Sequence, residues 1–271
     1  MMDRPKMARA LTIAGSDSGG GAGLQADLKT FLAFGVHGMS AVTAVTVQNT
    51  LGVQAAQELP VALIEQQIRS VVSDIGVDAV KTGMLASTAI VAAVSALVRE
   101  LGLTRLVVDP VMIAKGGHAL LAAEARQAML ALLLPQALVA TPNVPEAEAL
   151  TGVQVRSVKE MRAAAALLHE RGARWVVVKG GHLAAAEDAV DVVYDGREFT
   201  ELRAPRTPTK HTHGTGCTFS AAICAGLAKG YAPLVAIRLA KEYVTQAIAT
   251  GPALGQGHGP VNHLAGVRTP W

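Results

Sequence analysis

The chain alternates short apolar runs with longer stretches in which apolar residues recur every three or four positions. Short apolar runs bounded by turn residues predict β-strands, and the longer period predicts amphipathic helices. The predicted strands are Ala10–Ala14, Ser40–Val47, Ala79–Lys81, Leu106–Val108, Leu138–Thr141 and Trp175–Lys179. The predicted helices are Ala22–Phe34, Val61–Asp74, Thr88–Leu101, Ala119–Leu134, Glu146–Leu150 and Val158–Arg171, with two more inside Gly214–Ala249.

This alternation predicts an α/β fold in which a mostly parallel central sheet carries helices on both faces. Runs such as Leu106–Val108 are apolar without alternation, which is typical of strands buried on both sides. Val190–Arg203 differs, because Asp195 and Gly196 separate two extended patterns and predict a β-hairpin, which we place at the sheet edge. No internal repeat or disordered linker interrupts the chain. We therefore expect residues 1–271 to form a single three-layer domain.

Composition narrows the possible functions. The 271 residues are 51% hydrophobic and 17% charged, as in a globular protein with a large core. The net charge of +3 comes without a basic run, and aromatic residues make up 3%, so we expect no nucleic-acid partner. We also expect no signal peptide and no membrane partner, because no apolar run is long enough. Cys217 and Cys224 are about 10 Å apart along one predicted helix, too far for a disulfide, which favours a reducing, cytoplasmic location.

Polar residues directly follow the predicted strands, where an open parallel sheet binds its ligands. Each has an ordinary structural explanation of its own. Asp109 precedes a proline that ends a strand, and Glu146 is an acid favoured in the first turn of a helix. Their shared position nevertheless predicts that they converge on one rim and form a ligand site. These residues are Gly15, Ser16, Asp17, Gln48, Asn49, Lys81, Thr82, Met84, Asp109, Asn143, Glu146 and Lys179.

The segment HGTGCT at 213–218 is the most specific pattern in the chain. Gly214 and Gly216 let backbone N–H groups approach a ligand closely, and the following helix adds its unsatisfied N–H groups and positive dipole end. This arrangement predicts an anion hole for a transferring phosphoryl group. It also predicts a lowered pKa for the Cys217 thiol. The structural alternative is a glycine-rich helix start with a buried cysteine. By contrast, GSDSGGGAG at 15–23 fits neither the dinucleotide fingerprint nor the Walker A motif.

Several longer segments occur in a fixed order along the chain: LTIAGSDSGGGAGLQADLKTF, VTAVTVQNTLGV, KTGML, VVDPVM, TPNVPEAEAL, VVVKGGH and KHTHGTGCTFSAAICAGLAKG. Together they resemble the hydroxymethylpyrimidine/phosphomethylpyrimidine kinase family of thiamin biosynthesis, within the ribokinase superfamily. The resemblance extends from Ala10 to GHGPVNH at 257–263 and implies a ribokinase-like fold. Many members carry a proline after the aspartate of AGSDSGGGAG, where this chain has Ser18; the difference concerns loop stiffness rather than chemistry.

The resemblance implies a role for each matching residue. The catalytic anion hole would be formed by Gly214, Thr215, Gly216 and Cys217. The pyrimidine would be bound by Gln48, Gly15, Asp27 and Met84. ATP would be bound by Asn143, Lys179, Lys210 and Thr212. Mg²⁺ would be held near the phosphates by Asp109 and Glu146, the latter ending the superfamily NxxE motif.

The implied reaction transfers the γ-phosphoryl group of ATP to the hydroxymethyl oxygen of 4-amino-5-hydroxymethyl-2-methylpyrimidine and then phosphorylates the monophosphate. Related sugar kinases carry an aspartate general base where Cys217 stands. The base therefore stays open between the Cys217 thiolate and Asp27, provided that Asp27 reaches the hydroxymethyl oxygen. The resemblance also implies a homodimer. The rival functions are a pyridoxal or pyridoxine kinase and a non-catalytic pyrimidine-binding regulator, and the retained Asp109, Glu146 and Lys179 argue against the regulator.

Overall fold

The computed structural model describes residues 7–112, 123–181, 183 and 188–266. Within these ranges, nine strands form one sheet in the order β3-β2-β1-β4-β5-β6-β7-β8-β9. The strands are β1 (Arg9–Asp17), β2 (His37–Asn49), β3 (Gly52–Glu58), β4 (Ala79–Thr82), β5 (Leu106–Val108), β6 (Val139–Ala140), β7 (Trp175–Val178), β8 (Asp188–Tyr194) and β9 (Phe199–Pro205).

The sheet is parallel from β2 through β7, since β1 pairs in parallel with β2 and β4, and the β4-β5, β5-β6 and β6-β7 pairs are also parallel. Antiparallel pairing is confined to the two edges, where β3 pairs with β2 and where β8 and β9 extend from β7. The predicted edge hairpin is therefore confirmed as β8-β9. All parallel strands point their carboxyl ends to the same rim, which places the residues that follow them on one side of the molecule.

Helices cover both faces of the sheet and create two apolar cores. The helices are α1 (Gly23–Ala33), α2 (Val61–Asp74), α3 (Thr88–Glu100), α4 (Ala123–Ala128), α5 (Val144–Thr151), α6 (Val158–Glu170), α7 (Thr215–Ala228) and α8 (Pro233–Ala249). One core contains buried residues of α2 to α6, such as Ile64 and Met161. The other contains residues of α1, α7 and α8, such as Phe219. In β5, Val107 enters the second core while its neighbours enter the first, which confirms the prediction of strands buried on both sides.

The sequence analysis did not predict strand β3. Gly52–Glu58 reads GVQAAQE, and most of its side chains are exposed on both faces, so no apolar alternation marks it. It is a strand because its backbone pairs with β2 through the turn at Thr50 and Leu51. The predicted helix Ala119–Leu134 begins outside the described residues; its described part is α4 followed by a π-helical turn over Met129–Leu133. Across the described ranges, no helix has the length and apolar character needed to cross a membrane.

Candidate active site

The predicted convergence at the carboxyl ends of the strands is present. Asp109 follows β5 and Lys179 follows β7, and the ammonium Nζ of Lys179 lies 3.0 Å from Asp109 Oδ1. The Ser220 hydroxyl, on α7, donates to the other oxygen of Asp109 at 3.2 Å. Three elements that are distant in the sequence therefore meet at one carboxylate. Sequence reasoning missed Ser220, although its place one turn after Cys217 is the signal that marks it.

Electrostatics keep Asp109 ionised although it is almost completely buried. Burial opposes ionisation, but the charges of Lys179 and Lys81 outweigh it and hold the pKa of Asp109 below its ordinary value. The pKa of Lys179 is raised in turn, because the attraction of Asp109 and Glu146 outweighs its own burial. The rim therefore carries a fixed cation beside a fixed anion.

The motif Asn143-x-x-Glu146 forms a capping box at the start of α5. Asn143 Oδ1 accepts from the Glu146 N–H at 2.9 Å, and Glu146 Oε2 accepts from the Asn143 N–H at 2.7 Å. These bonds fix the Glu146 carboxylate at the rim, where burial raises its pKa to about 7 and Asp109 contributes by repulsion. The motif therefore stabilises the start of α5, and it also holds a buried carboxylate facing the Asp109–Lys179 pair.

The carboxylates of Asp109 and Glu146 are oxygen donors of the kind that Mg²⁺ prefers. Asp109 and Glu146 are close enough to repel one another and both face Lys179. The described part of the chain contains no group of three or more His, Cys, Asp or Glu side chains arranged to hold a metal. Two carboxylates without a third protein ligand fit a cation that keeps its waters and is shared with phosphate oxygens, which is how Mg²⁺ is commonly bound.

The predicted anion hole is built around Gly214, which caps α7 in the left-handed conformation at φ 80°. Among the described residues, the N–H groups of Gly214, Gly216 and Cys217 have no protein acceptor, whereas the Thr215 N–H donates to Thr212 O at 3.3 Å. The hole therefore has three available donors, and the expectation that Thr215 supplies one is corrected. A methyl group on the Gly216 Cα would lie 3.4 Å from Lys179 Nζ and 3.8 Å from Asp109 Oδ2, so the turn opens onto the charged rim.

The expected acidity of Cys217 is wrong in this structure. Burial raises the pKa of the thiol to about 11, and the nearby Lys81 ammonium only partly offsets that effect. A helix N-terminus alone would have lowered it. Desolvation outweighs the attraction of Lys81, and the Asp27 and Asp109 carboxylates add repulsion. Cys217 is therefore a neutral thiol at physiological pH in the free protein, and both cysteines are unpaired.

We expect the alkylation rate of Cys217 by iodoacetamide to rise with pH without a plateau below about pH 10, because only the thiolate reacts. Cys224 is completely buried and should not react. The measurement is mass-spectrometric labelling across a pH series, with Cys217→Ser as the control that should abolish labelling. A plateau at or below about pH 8.5, the ordinary thiol value, would restore the sequence prediction of an activated thiolate.

Three of the predicted pyrimidine-binding residues lie at the carboxyl ends of β1, β2 and β4. A methyl group on the Gly15 Cα would lie 3.0 Å from Met84 Sδ, so the Gly15 backbone packs closely against that side chain. Gln48 lies near the end of β2, and its amide nitrogen Nε2 is 3.4 Å from His213 Nε2. His213 directly precedes Gly214, so the Gln48 amide borders the phosphoryl-binding turn. Gly15 and Met84 thus pack together near the carboxyl ends of β1 and β4, Gln48 lies beside the Gly214 turn, and the expected pyrimidine pocket lies at this end of the sheet.

Asp27 does not line this pocket. Its carboxylate is completely buried, both oxygens lie 2.8 Å from Lys81 Nζ, and Thr12 Oγ1 donates to it at 2.6 Å. The attraction of Asp27 outweighs burial and raises the pKa of Lys81, so the two form an ion pair. The structure therefore corrects the expected substrate contact of Asp27, and with it the idea that Asp27 is an alternative base. The sequence could not reveal this, because Lys81 is 54 positions away.

The remaining two predicted ATP-binding residues lie in the loop that precedes the anion hole. Lys210 is exposed, and its Nζ donates to Gln256 O at 3.1 Å. Thr212 contributes its carbonyl oxygen, which accepts from the Thr215 hydroxyl at 2.8 Å. Neither side chain touches the Asp109–Lys179 pair. Their contact with a nucleotide stays a prediction.

Residues 17–262 match the protein family described as phosphomethylpyrimidine kinase. The chain belongs to the phosphomethylpyrimidine kinase family. A relative from Streptomyces coelicolor, named hydroxymethylpyrimidine/phosphomethylpyrimidine kinase, is 57% identical over 253 residues, which is 93% of each chain. The family membership confirms the resemblance that the motifs indicate.

Solved structures place the fold among vitamin kinases. The ADP complex of Bacillus subtilis pyridoxal kinase superposes with a TM-score of 0.90 at 44% identity, over 96% of this chain and 98% of that one. A Clostridium difficile phosphomethylpyrimidine kinase superposes with a TM-score of 0.79 at 43% identity, over 90% and 100%. The predicted α/β, ribokinase-like architecture is therefore confirmed.

Proposed function

We propose that the chain transfers the γ-phosphoryl group of ATP to the hydroxymethyl oxygen of 4-amino-5-hydroxymethyl-2-methylpyrimidine, and then phosphorylates the monophosphate to the diphosphate. The observation that carries this proposal is the opening of the Gly214–Cys217 turn onto the Asp109–Lys179 pair, beside the pocket of Gln48. Family membership indicates which molecule accepts the phosphoryl group, since a relative is named for both the hydroxymethylpyrimidine and the phosphomethylpyrimidine. The product would be the pyrimidine half of thiamin.

Phosphoryl transfer needs position and charge stabilisation more than covalent chemistry. The free N–H groups of Gly214, Gly216 and Cys217 and the dipole of α7 face the charge that develops on the transferring oxygens. Lys179, held by Asp109, adds a fixed positive charge at the same place. Because the Cys217 thiol is neutral, it takes no proton at the start; the hydroxyl proton passes late, to an oxygen of the transferred phosphoryl group, as the new P–O bond forms and the bond to ADP breaks. In a loose transition state this late loss is sufficient.

The nucleotide and its metal would occupy the rim. Asn143, Lys179, Lys210 and Thr212 are proposed to bind ATP, in keeping with the ADP found in the Bacillus subtilis relative. Mg²⁺ would be held by Asp109 and Glu146 through its waters, and when bound it neutralises charge between the β- and γ-phosphates. Glu146 is placed for this by its capping box, which directs the carboxylate into the rim.

The nearest alternative is a pyridoxal kinase, because solved pyridoxal kinases share this fold. The experiment that separates the two functions measures kcat/KM for the pyrimidine alcohol and for pyridoxal in the same preparation with ATP and Mg²⁺. We expect the pyrimidine to be preferred by at least about tenfold, since Gln48 offers a donor–acceptor pair that matches an aminopyrimidine edge. Preference for pyridoxal would overturn the proposed function.

Gln48→Ala is expected to raise KM for the pyrimidine by about tenfold or more while KM for ATP stays within about twofold, because it leaves the ring edge without its partner. The measurement is steady-state kinetics with each substrate varied in turn. Gln57→Ala is the matched control, since Gln57 lies on the edge strand β3 and, within the described ranges, its side chain bonds to Glu58 O alone, at 3.1 Å. Equal loss for both substrates would refute the role of Gln48.

A homodimer and a cytoplasmic location complete the proposal. Strand β2 exposes Val45 and Val47 on one face, at 47% and 58%, beside the edge strand β3. An exposed apolar strand face at a sheet edge is typically covered by a partner, and we propose a second copy of this chain. Light scattering after size exclusion should give twice the mass of the chain, and a monomeric mass would contradict it. The unpaired cysteines accord with a reducing compartment.

A further inference from the structure

The Gln48 amide lies between two hydrogen-bonding neighbours. The Thr46 hydroxyl is 3.1 Å from Gln48 Oε1, and His213 Nε2 is 3.4 Å from Gln48 Nε2. The amide therefore has one end against Thr46 and the other against His213. Which end carries the oxygen decides the order of donor and acceptor that the side chain presents to a ligand.

Asp17 fixes the proton on the His213 side. Its buried Oδ2 accepts from the Gly21 N–H, the Ala22 N–H and His213 Nε2, at 3.0, 2.8 and 2.9 Å. Burial opposes ionisation of Asp17, but the bonds from His213 and from Ala22 outweigh it and lower its pKa. A carboxylate is only an acceptor, so His213 Nε2 must carry a hydrogen. Its single hydrogen is given to Asp17, so Nε2 has no lone pair with which to accept from Gln48, and it repels the N–H groups of the amide.

Thr46 fixes the other side. Its hydroxyl donates to Ser16 O at 2.8 Å, and a hydroxyl has one hydrogen to give. Toward Gln48 it can therefore only accept. Both neighbours favour the same orientation, since the Nε2–H group of His213 repels the amide N–H groups and attracts the amide oxygen, while Thr46 accepts from the amide nitrogen. A half-turn of the amide about its last bond satisfies both without moving any other atom of the site.

We infer that Asp17, through the proton that it holds on His213 Nε2, and Thr46 together orient the Gln48 amide, with its oxygen toward His213, and that Asp17 is thereby a specificity-determining residue. The inference rests on the proposed pyrimidine substrate. Because His213 adjoins Gly214, the amide oxygen lies on the side of the anion hole and the amide nitrogen on the far side. Asp17 and His213 act through Gln48 and are positioning residues.

This order matches one arrangement of ligand groups. In 4-amino-5-hydroxymethyl-2-methylpyrimidine the amino group is on the carbon next to the one bearing the hydroxymethyl group, and a ring nitrogen follows. With the hydroxymethyl group at the anion hole, the amino group donates to the amide oxygen and the ring nitrogen accepts from the amide nitrogen. The 4-oxo analogue carries an acceptor and then an N–H donor, so both contacts become repulsive. The oriented Gln48 amide therefore selects a substrate with an amino group next to the hydroxymethyl group that is phosphorylated.

The test compares kcat/KM for the 4-amino compound and for its 4-oxo analogue. We expect the wild-type protein to prefer the amino compound by about a hundredfold or more, as sites with fixed polar partners do. In Asp17→Asn the side-chain oxygen keeps its bonds from the Gly21 and Ala22 N–H groups, but the negative charge that holds the proton on His213 Nε2 is lost. The ring can then carry its proton on Nδ1 and accept from Gln48, so the preference should fall by at least about tenfold. If the wild-type protein showed no activity toward the amino compound, the proposed function itself would be refuted, and not only the orientation of Gln48.

Matched variants separate orientation from damage to the loop. Thr46→Val keeps the shape of the side chain but removes the acceptor, and it should also lower the preference. Thr245→Val, on α8, removes a hydroxyl that bonds to Lys241 O at 2.7 Å far from the pocket and should leave the preference unchanged. A purely structural role for Asp17 would lower kcat/KM for both compounds equally. An unchanged ratio in Asp17→Asn and Thr46→Val would therefore overturn the inference.

A spectroscopic test needs no substitution of Asp17. Long-range ¹H–¹⁵N correlation spectra report which ring nitrogen of each histidine carries a proton, and the His213→Asn spectrum identifies the signals of His213. We expect Nε2 of His213 to be protonated at neutral pH. A ring protonated on Nδ1 alone would contradict the inference, whatever the kinetics of the variants.

Discussion

Replacing Gly214 with alanine is expected to lower kcat for phosphoryl transfer by about a hundredfold or more, the size of effect seen when a preorganised donor is lost from an anion hole. Gly214 has φ 80°, and a Cβ there would lie only 1.7 Å from Gly21 O. Either the turn before α7 or the loop after β1 must move. Both carry the site, since the turn holds the free N–H groups and the Gly21 N–H of the loop binds Asp17.

A matched control separates this collision from backbone strain. Gly230 ends the same helix at φ 85°, and a Cβ there meets nothing within 4 Å. Both substitutions place alanine in the left-handed region, which costs about 1–2 kcal/mol in either case. Gly230→Ala should therefore lose stability but keep kcat within about threefold. Steady-state kinetics with folded samples decide the matter, and equal turnover in the two variants would show that the Gly214 turn does not set the rate.

Lys81→Met is expected to destabilise the fold by about 3–5 kcal/mol, because it leaves the Asp27 carboxylate buried without a counter-ion. Both side chains are completely inaccessible, and the two oxygens of Asp27 share the Lys81 ammonium at 2.8 Å. The pair lies between β4 and α1, beneath the pocket, where water cannot reach a free charge. The measurement is the free energy of unfolding in urea.

The double variant Lys81→Met with Asp27→Leu should recover a large part of this loss, since a buried ion pair contributes little beyond mutual neutralisation. Arg69→Met breaks an exposed pair with Glu100, where both side chains are about half exposed, and should leave the urea midpoint nearly unchanged. If Lys81→Met were as stable as Arg69→Met, the assignment of Asp27 as a buried counter-ion would be wrong.

Elements with a strong local pattern follow from the sequence. Val61–Asp74 and Leu106–Val108 have the predicted bounds, because apolar spacing alone decides which side of a helix or strand is buried. The strand β3 does not follow from the sequence, since GVQAAQE has no apolar alternation and is held by pairing with β2. Local pattern therefore predicts the elements that bury a face, and tertiary pairing adds the one that does not.

The residues of the site also divide into those that the sequence predicts and those that only the tertiary structure reveals. The rule that ligands bind beyond parallel strands brings Asp109 and Lys179 together although they are 70 positions apart. The charge state of Cys217 could not follow from its place at a helix start, because burial beneath the rim reverses the expected direction of its pKa. Asp17 ends β1 and His213 precedes α7, 196 positions later, and only the close packing of the two glycine-rich segments beside them makes them partners.

Product identification is the most direct test of phosphoryl transfer at this rim. The purified protein is incubated with ATP, Mg²⁺ and 4-amino-5-hydroxymethyl-2-methylpyrimidine, and the products are identified by mass spectrometry. We expect the monophosphate to appear first and the diphosphate to follow, with one ATP consumed for each phosphoryl group transferred. Recovery of unmodified alcohol and intact ATP from a folded protein that binds both would contradict the proposed function.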